Sequence, residues 1–218
     1  MRTFLVVLIV SGMPATALGA QGLAVYGEAG VAASLNGQFR RVVVLPMDRG
    51  FGTVTYTGRH GAGPVLAARV AWHSTSWGIE AAGGVRFSDR KIAGIGSGAG
   101  IPTLPPSEAT VASASLRIVW RAPIQRLELG AGPLLLRFGG EAYRTDGLTT
   151  NLARRSLWGA SVAARMPLHT SGRVTVALTA EDGIYRVRLV EVPPGADTTR
   201  TPLQHDLALS LGTAVRLR

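Results

Sequence analysis

From Asp206 to the end of the chain the side chains change character at every step. Leu207, Leu209, Leu211, Thr213, Val215 and Leu217 form one set, and Asp206, Ala208, Ser210, Gly212, Ala214 and Arg216 the other. A period of two is β-strand geometry, because successive side chains point to opposite faces. Such a strand has one oily face and one that is small or charged, so it must border an apolar medium on one side only. Residues 77–88 repeat the pattern, with Trp77, Ile79, Ala81, Val85 and Phe87 against Gly78, Glu80, Ala82, Gly84, Arg86 and Ser88. So do 65–73, 111–120 and 156–168, where Leu66, Val70, Trp72, Leu116, Ile118, Trp120, Trp158, Val162 and Met166 fall on the oily faces.

Segments 23–34, 126–138 and 173–186 complete a set of eight, each near the ~10 residues that a tilted strand needs to cross a hydrocarbon layer. In 126–138, Pro133 and the run Leu134-Leu135-Leu136 interrupt the alternation, which predicts a bulge or an edge irregularity. The links are alternately short (74–76, 121–125, 169–172) and long (35–63, 89–108, 139–155, 187–204). This layout is that of an up-and-down antiparallel barrel with short periplasmic turns and long external loops. Within the first long link, Phe39 to Pro46 and Phe51 to Gly58 are strand-like. They either extend the wall of an eight-stranded barrel or add a hairpin to make ten; Arg40-Arg41 and the unalternating Val42-Val43-Val44 favour eight.

The polarity of the faces separates a membrane barrel from a water-soluble one. Faces of glycine, alanine, serine and isolated charges suit a narrow polar lumen better than a dry core, which leaves the oily faces for lipid. Aromatic residues at the ends of those faces fit the two lipid interfaces. The chain is 46% hydrophobic, only 17% charged, rich in glycine and without cysteine, which excludes disorder, a disulfide framework, a lipoprotein anchor and thiolate chemistry. At the start, Arg2, the apolar run Phe4 to Val10 and the small residues from Pro14 to Ala20 read as a cleaved export signal. The expected organisation is residues 1–20 as signal peptide and 21–218 as one barrel domain, placed in the bacterial outer membrane. The net charge of +10 is nearly all arginine, Lys91 being the sole lysine. No basic stripe interleaved with aromatics points to nucleic acid, so the expected partners are anionic lipid headgroups. Arg40, Arg41, Arg59, Arg137, Arg144, Arg154 and Arg155, near strand tops and in loops, are the candidates for headgroup phosphate.

The mature chain resembles the small outer-membrane β-barrels of the OmpA and OmpX type. The specific likeness is carboxyl-terminal: Ser210, Gly212, Val215 and Leu217 match a polar-x-Gly-x-x-apolar-x-apolar assembly signal, although Leu217 replaces the usual terminal aromatic and Arg218 follows it. The resemblance implies recognition by the barrel-assembly machinery.

With the oily faces outward, Glu28, Arg69, Glu80, Arg117, Glu128 and Arg165 point inward on six strands with alternating sign, each about five residues from a periplasmic end. Neighbouring strands lie about 4.8 Å apart, so such charges can pair around or across the bore, as buried charges must. Arg86, Glu181, Asp206 and Arg216 are expected to extend the network. The expectation is a plugged lumen that conducts poorly, in a structural or surface-interaction protein acting through its external loops. A narrow channel or transporter for small or apolar solutes is the alternative. A lipid A-modifying enzyme is a third class, for which His60 and the neighbours His205-Asp206 would be the candidate groups; no nucleophile motif accompanies them. No metal or cofactor motif is present, and Gly94 to Pro106 reads as an external loop rather than a phosphate cradle.

Overall fold

Alternating side chains become strands nearly everywhere. In the computed structural model they are β1 (Gly22–Ser34), β2 (Phe39–Met47), β3 (Gly50–His60), β4 (Gly63–His73), β5 (Trp77–Gly96), β6 (Leu104–Arg121), β7 (Glu128–Gly139), β8 (Ser156–Ser171), β9 (Val174–Arg186) and β10 (Leu203–Leu217). The structure describes residues 22–35, 39–47, 50–74, 76–96, 104–122, 127–140, 156–186 and 203–217, with backbone alone for 39–59 and 90–107. The export signal, most of the long loops and Arg218 lie outside the described residues.

Every described pairing is antiparallel. The order β1-β4-β5-β6-β7-β8-β9-β10 closes where β10 returns to β1, so eight strands form the barrel. The remaining hairpin, β2 and β3, resolves the choice between eight and ten. β3 and β4 run in the same direction along β5, β3 opposite Arg90 to Gly96 and β4 opposite Gly78 to Arg86. Across Gly61 and Ala62 they act as one long strand with a shift of one residue in register. β1 pairs with its lower part and β2 with its upper part. The first hairpin therefore carries the barrel wall upward and adds no strand to the ring. The expected loop 89–108 is also shorter than its glycines suggested, since β5 continues to Gly96 and β6 begins at Leu104.

Outward faces match the oily sets read from the sequence. Trp158 is 72% exposed, and Leu209, Leu211, Leu66, Ile79 and Ile118 are all more than half exposed. A water-soluble protein does not present so many large apolar groups side by side; a belt of this kind is satisfied by lipid. Trp72, Trp77 and Trp120 lie toward the short-turn end, Phe87 and Trp158 toward the other. The β8–β9 turn is the tightest described, with Gly172 at φ 58°, a backbone region that glycine enters without steric cost.

The irregularity expected at Pro133 takes another form. β7 alternates strictly through the three leucines: Leu134, Leu136 and Phe138 are buried inward, while Leu135 faces out. Its register with β6 is the same above and below, Ser115 opposite Leu134 and Ile118 opposite Ala131, and only the pairs between them are missing. Pro133, which has no N–H to donate, sits in that gap. The triple leucine hides its alternation because both faces are apolar at that height. The bulges lie elsewhere, at Pro105-Pro106 of β6 opposite Lys91 and between Pro167 and His169 in β8.

Candidate functional site

The bore of an eight-stranded barrel is about wide enough for side chains to fill it, so the inward residues decide what the molecule can do. Four storeys of side chains are stacked in it from the short-turn end upward. The lowest is small and apolar: Ala24, Tyr26, Ala71 and Ala214.

Above it lies an ionic layer, and Glu80 is its hub. Glu80 Oε1 accepts from Arg117 Nη1 at 3.0 Å and Arg69 Nη1 at 3.2 Å, and its Oε2 meets Arg165 Nη2. Arg69 reaches three carboxylates, with Nε 2.8 Å from Glu28 Oε2 and Nη2 2.9 Å from Glu181 Oε2. Arg117 joins Glu181 through Nη2 and donates through Nε to Ser161 Oγ at 3.0 Å. Arg165 donates through Nη1 to Glu128 Oε2 at 3.0 Å, and its guanidinium lies 4.2 Å above the ring of Tyr26. Thr179 and Ser210 hydroxyls each donate to Glu28 at 3.0 Å. Glu28, Arg69, Glu80, Arg117, Glu128 and Arg165 are all at most 5% exposed. Charges this deep are tolerated only when paired, and here three arginines and four glutamates pair with one another, partly between adjoining strands and partly across the bore.

Gly212 gives Glu28 its room. It stands directly opposite Glu28 in the β1–β10 ladder, and a Cβ there would lie 2.4 Å from Glu28 Cγ.

The third storey is a small second network. Arg86 Nη2 lies 3.1 Å from Asp206 Oδ2, which also accepts from Tyr185 OH at 3.1 Å, and Ser34 donates to Asp206 Oδ1. The fourth, toward the external side, is apolar and aromatic: Ala109, Val111, Leu134, Leu136, Phe138, Leu157 and Tyr185, with the His60 ring stacked on Phe138 at 5.9 Å. Small inward residues suggested no oily core anywhere in the lumen; this half has one, supplied mainly by β7 and β6.

The expected network residues thus separate. Glu28, Arg69, Glu80, Arg117, Glu128, Arg165 and Glu181 come together, Glu181 as a full member, while Arg86 and Asp206 make the storey above. Arg216 does not join them: it is exposed at the short-turn rim and takes part in none of the ion pairs among the described residues. At the strand end the wall no longer encloses a bore, and a long cation turns to solvent. Arg121 was missed; it donates to Glu128 Oε1 at 2.7 Å from the turn side. Tyr26 was also missed, although it stands two residues from Glu28 and so on the same face.

The candidate catalytic groups are not assembled. His205 pairs through Nδ1 with Asp182 Oδ2 at 2.8 Å on the outer surface, whereas Asp206 points inward, as adjacent strand residues must. His60 is the last residue of β3 and is buried at the barrel mouth, 3.2 Å from Ser88 Oγ, rather than lying in a loop. Among the described residues no group of histidines and carboxylates could hold a metal ion. Of the headgroup candidates, Arg137 is exposed on the outer wall; Arg40, Arg41 and Arg59 are described in backbone only, and Arg144, Arg154 and Arg155 lie outside the described residues. Ser210 and Gly212 of the terminal motif face inward, while Val215 and Leu217 face lipid.

The closed ring is shared with solved structures. The solid-state NMR structure of outer membrane protein AlkL in lipid bilayers superposes with a TM-score of 0.54 over 95% of this chain and 96% of that one, at 15% identity. The crystal structure of Neisserial surface protein A, NspA, does so with a TM-score of 0.51 over 89% of this chain and 97% of that one, at 12% identity. The chain has the fold of the small outer-membrane β-barrels. At these identities the likeness is one of fold alone. No family model matches the chain, and no curated protein sequence does.

Proposed function

We propose that this outer-membrane barrel is closed to through-flow by its ionic layer and acts as a structural or surface-interaction protein, using the wall to hold its external loops and the raised β2–β3 hairpin outside the cell. The observation that carries this reading is the linkage of Glu28, Glu80, Glu128 and Glu181 by Arg69, Arg117 and Arg165, which leaves no charge in that layer without a partner. Opening a path would separate several buried pairs at once, each at a cost of several kcal/mol. The lipid headgroups of the outer leaflet are the proposed surroundings of Arg137 and the loop arginines. The segment Ser210 to Leu217 is the proposed recognition element for the barrel-assembly machinery.

Planar-bilayer recording from the purified protein tests the plug: only brief or very small openings are expected, and a large steady conductance overturns the reading. A role other than catalysis is supported by the placement of His205 and Asp206 on opposite faces of β10. Lipid A incubated with the protein and analysed by mass spectrometry is expected to return unchanged.

A further inference from the structure

Between the ionic layer and the external apolar storey the lumen is not filled. A cavity of about 80 Å³ lies there, with Arg69, Arg117 and Glu181 below it and Arg86 and Asp206 beside it. At the 10–15 Å³ that one water needs, it has room for roughly six waters, or for one organic molecule of about six non-hydrogen atoms. Its wall has two characters. Val65, Val111, Leu134 and Leu136 are its apolar lining, and Ser113, Ser115 and Ser210 bring hydroxyls among them.

Arg86 is the singular residue of this wall. It is only 4% exposed, and both of its described polar contacts, to Asp206 and to Ser34, are made by Nη2. Its Nε, equally removed from solvent, has no hydrogen-bond partner among the described residues. Val65 and Val111 stand directly opposite Arg86 in the two adjoining strands and offer its Nε no acceptor side chain. A desolvated cationic donor without an acceptor is costly, and native proteins rarely leave one without a purpose. Of the charged groups that line the space, Arg69, Arg117 and Glu181 belong to the ionic layer, which leaves Arg86 and its partner Asp206 as the charged pair proper to the cavity.

We propose that this cavity is a binding site for a small monocarboxylate with a short apolar tail, its carboxylate accepting from Arg86 Nε and its tail lying against Val111, Leu134 and Leu136. The carboxylate supplies the acceptor that Arg86 Nε lacks, and a charge-assisted hydrogen bond is among the stronger polar contacts a protein makes. Asp206 and Glu181 oppose a second negative group, which limits the ligand to one. The ionic layer forms the floor, so the site takes up its ligand without passing it through the membrane. This goes beyond the plug reading and does not depend on what the loops recognise.

The test is a titration of the refolded protein in detergent micelles with butyrate, and in parallel with butylamine and 1-butanol, following the Nε–Hε signals of its arginines by NMR. Saturable butyrate binding that moves the Arg86 signal most is expected, with both other probes at least tenfold weaker. Arg86→Lys keeps a cation for Asp206 but removes the Nε donor and is expected to weaken butyrate binding by roughly tenfold. Ala208→Leu, which fills the cavity from β10 without touching Arg86, is expected to abolish it; heat-modifiable gel mobility verifies that each variant is folded. Absence of saturable binding, equal binding of butylamine or 1-butanol, or butyrate affinity unchanged in both variants overturns the proposal. Conductance recordings stand apart from all of these outcomes, so the plug and the cavity fail separately.

Discussion

The two halves of the lumen fill the same bore with opposite chemistry. Toward the short turns, seven charged side chains from seven strands lock together around Glu80. Toward the external side, leucines and aromatics from four strands pack against one another as in the core of a water-soluble protein. An apolar storey tolerates exchange of one hydrophobic group for another of like volume, since its attraction has no direction. The ionic storey does not, because each guanidinium must meet its carboxylates in a fixed geometry. The first half therefore seals and fixes which strands face one another, and the second supplies ordinary packing stability.

Removing the hub should expose this difference most. Glu80→Ala leaves Arg69, Arg117 and Arg165 without their common partner, and a loss of about 4–5 kcal/mol in unfolding free energy is expected, measured by urea titration in lipid vesicles. The same variant should gain steady conductance. A fall below about 1 kcal/mol would mean that the layer relaxes around the gap and that its pairing does little to hold the barrel. Leu134→Ala attacks the other half and should cost about 3 kcal/mol, with conductance as low as in the parent protein. If both variants conduct equally, the seal is shared between the halves and the contrast drawn here is wrong. Tyr185→Phe removes the hydroxyl that reaches Asp206 where the storeys meet and is expected to cost about 1 kcal/mol in the same titration. Arg216→Ala, at the exposed rim, should stay within about 0.5 kcal/mol. A larger loss there would restore Arg216 to the network from which its exposure removes it.

The outer face was legible because lipid imposes one rule on every residue that touches it. Leu207 through Leu217 announce their side without reference to any other strand. The presence of inward charges was legible for the same reason, as the complement of that face. Their pairing was not. Arg69 meets Glu181 across a sequence separation of 112 residues because the ring closes with a particular stagger, and stagger is a property of all eight strands together. The leucines of β7 were misread because a local pattern cannot distinguish a strand that is apolar on both faces from an irregular one. The pairing of His205 was within reach, since a strand sends His205 and Asp206 to opposite sides, and only the choice of Asp182 required the β9–β10 register. The continuity of β3 into β4 was masked by Gly61-Ala62-Gly63, which reads as a loop but serves as a one-residue shift along an unbroken partner strand.

That partner, β5, runs without a break for 20 residues from Trp77 to Gly96. At ~3.3 Å per residue it measures about 65 Å along its length, or roughly 50 Å vertically at the usual barrel tilt, against about 30 Å of hydrocarbon. A strand of this kind behaves as a mast stepped through the deck. A tug on the β2–β3 hairpin loads the β3–β5 and β4–β5 hydrogen bonds lengthwise and together, not one after another as in peeling. Force applied at the hairpin is thereby passed down one ribbon to Trp77, at the far end of the barrel.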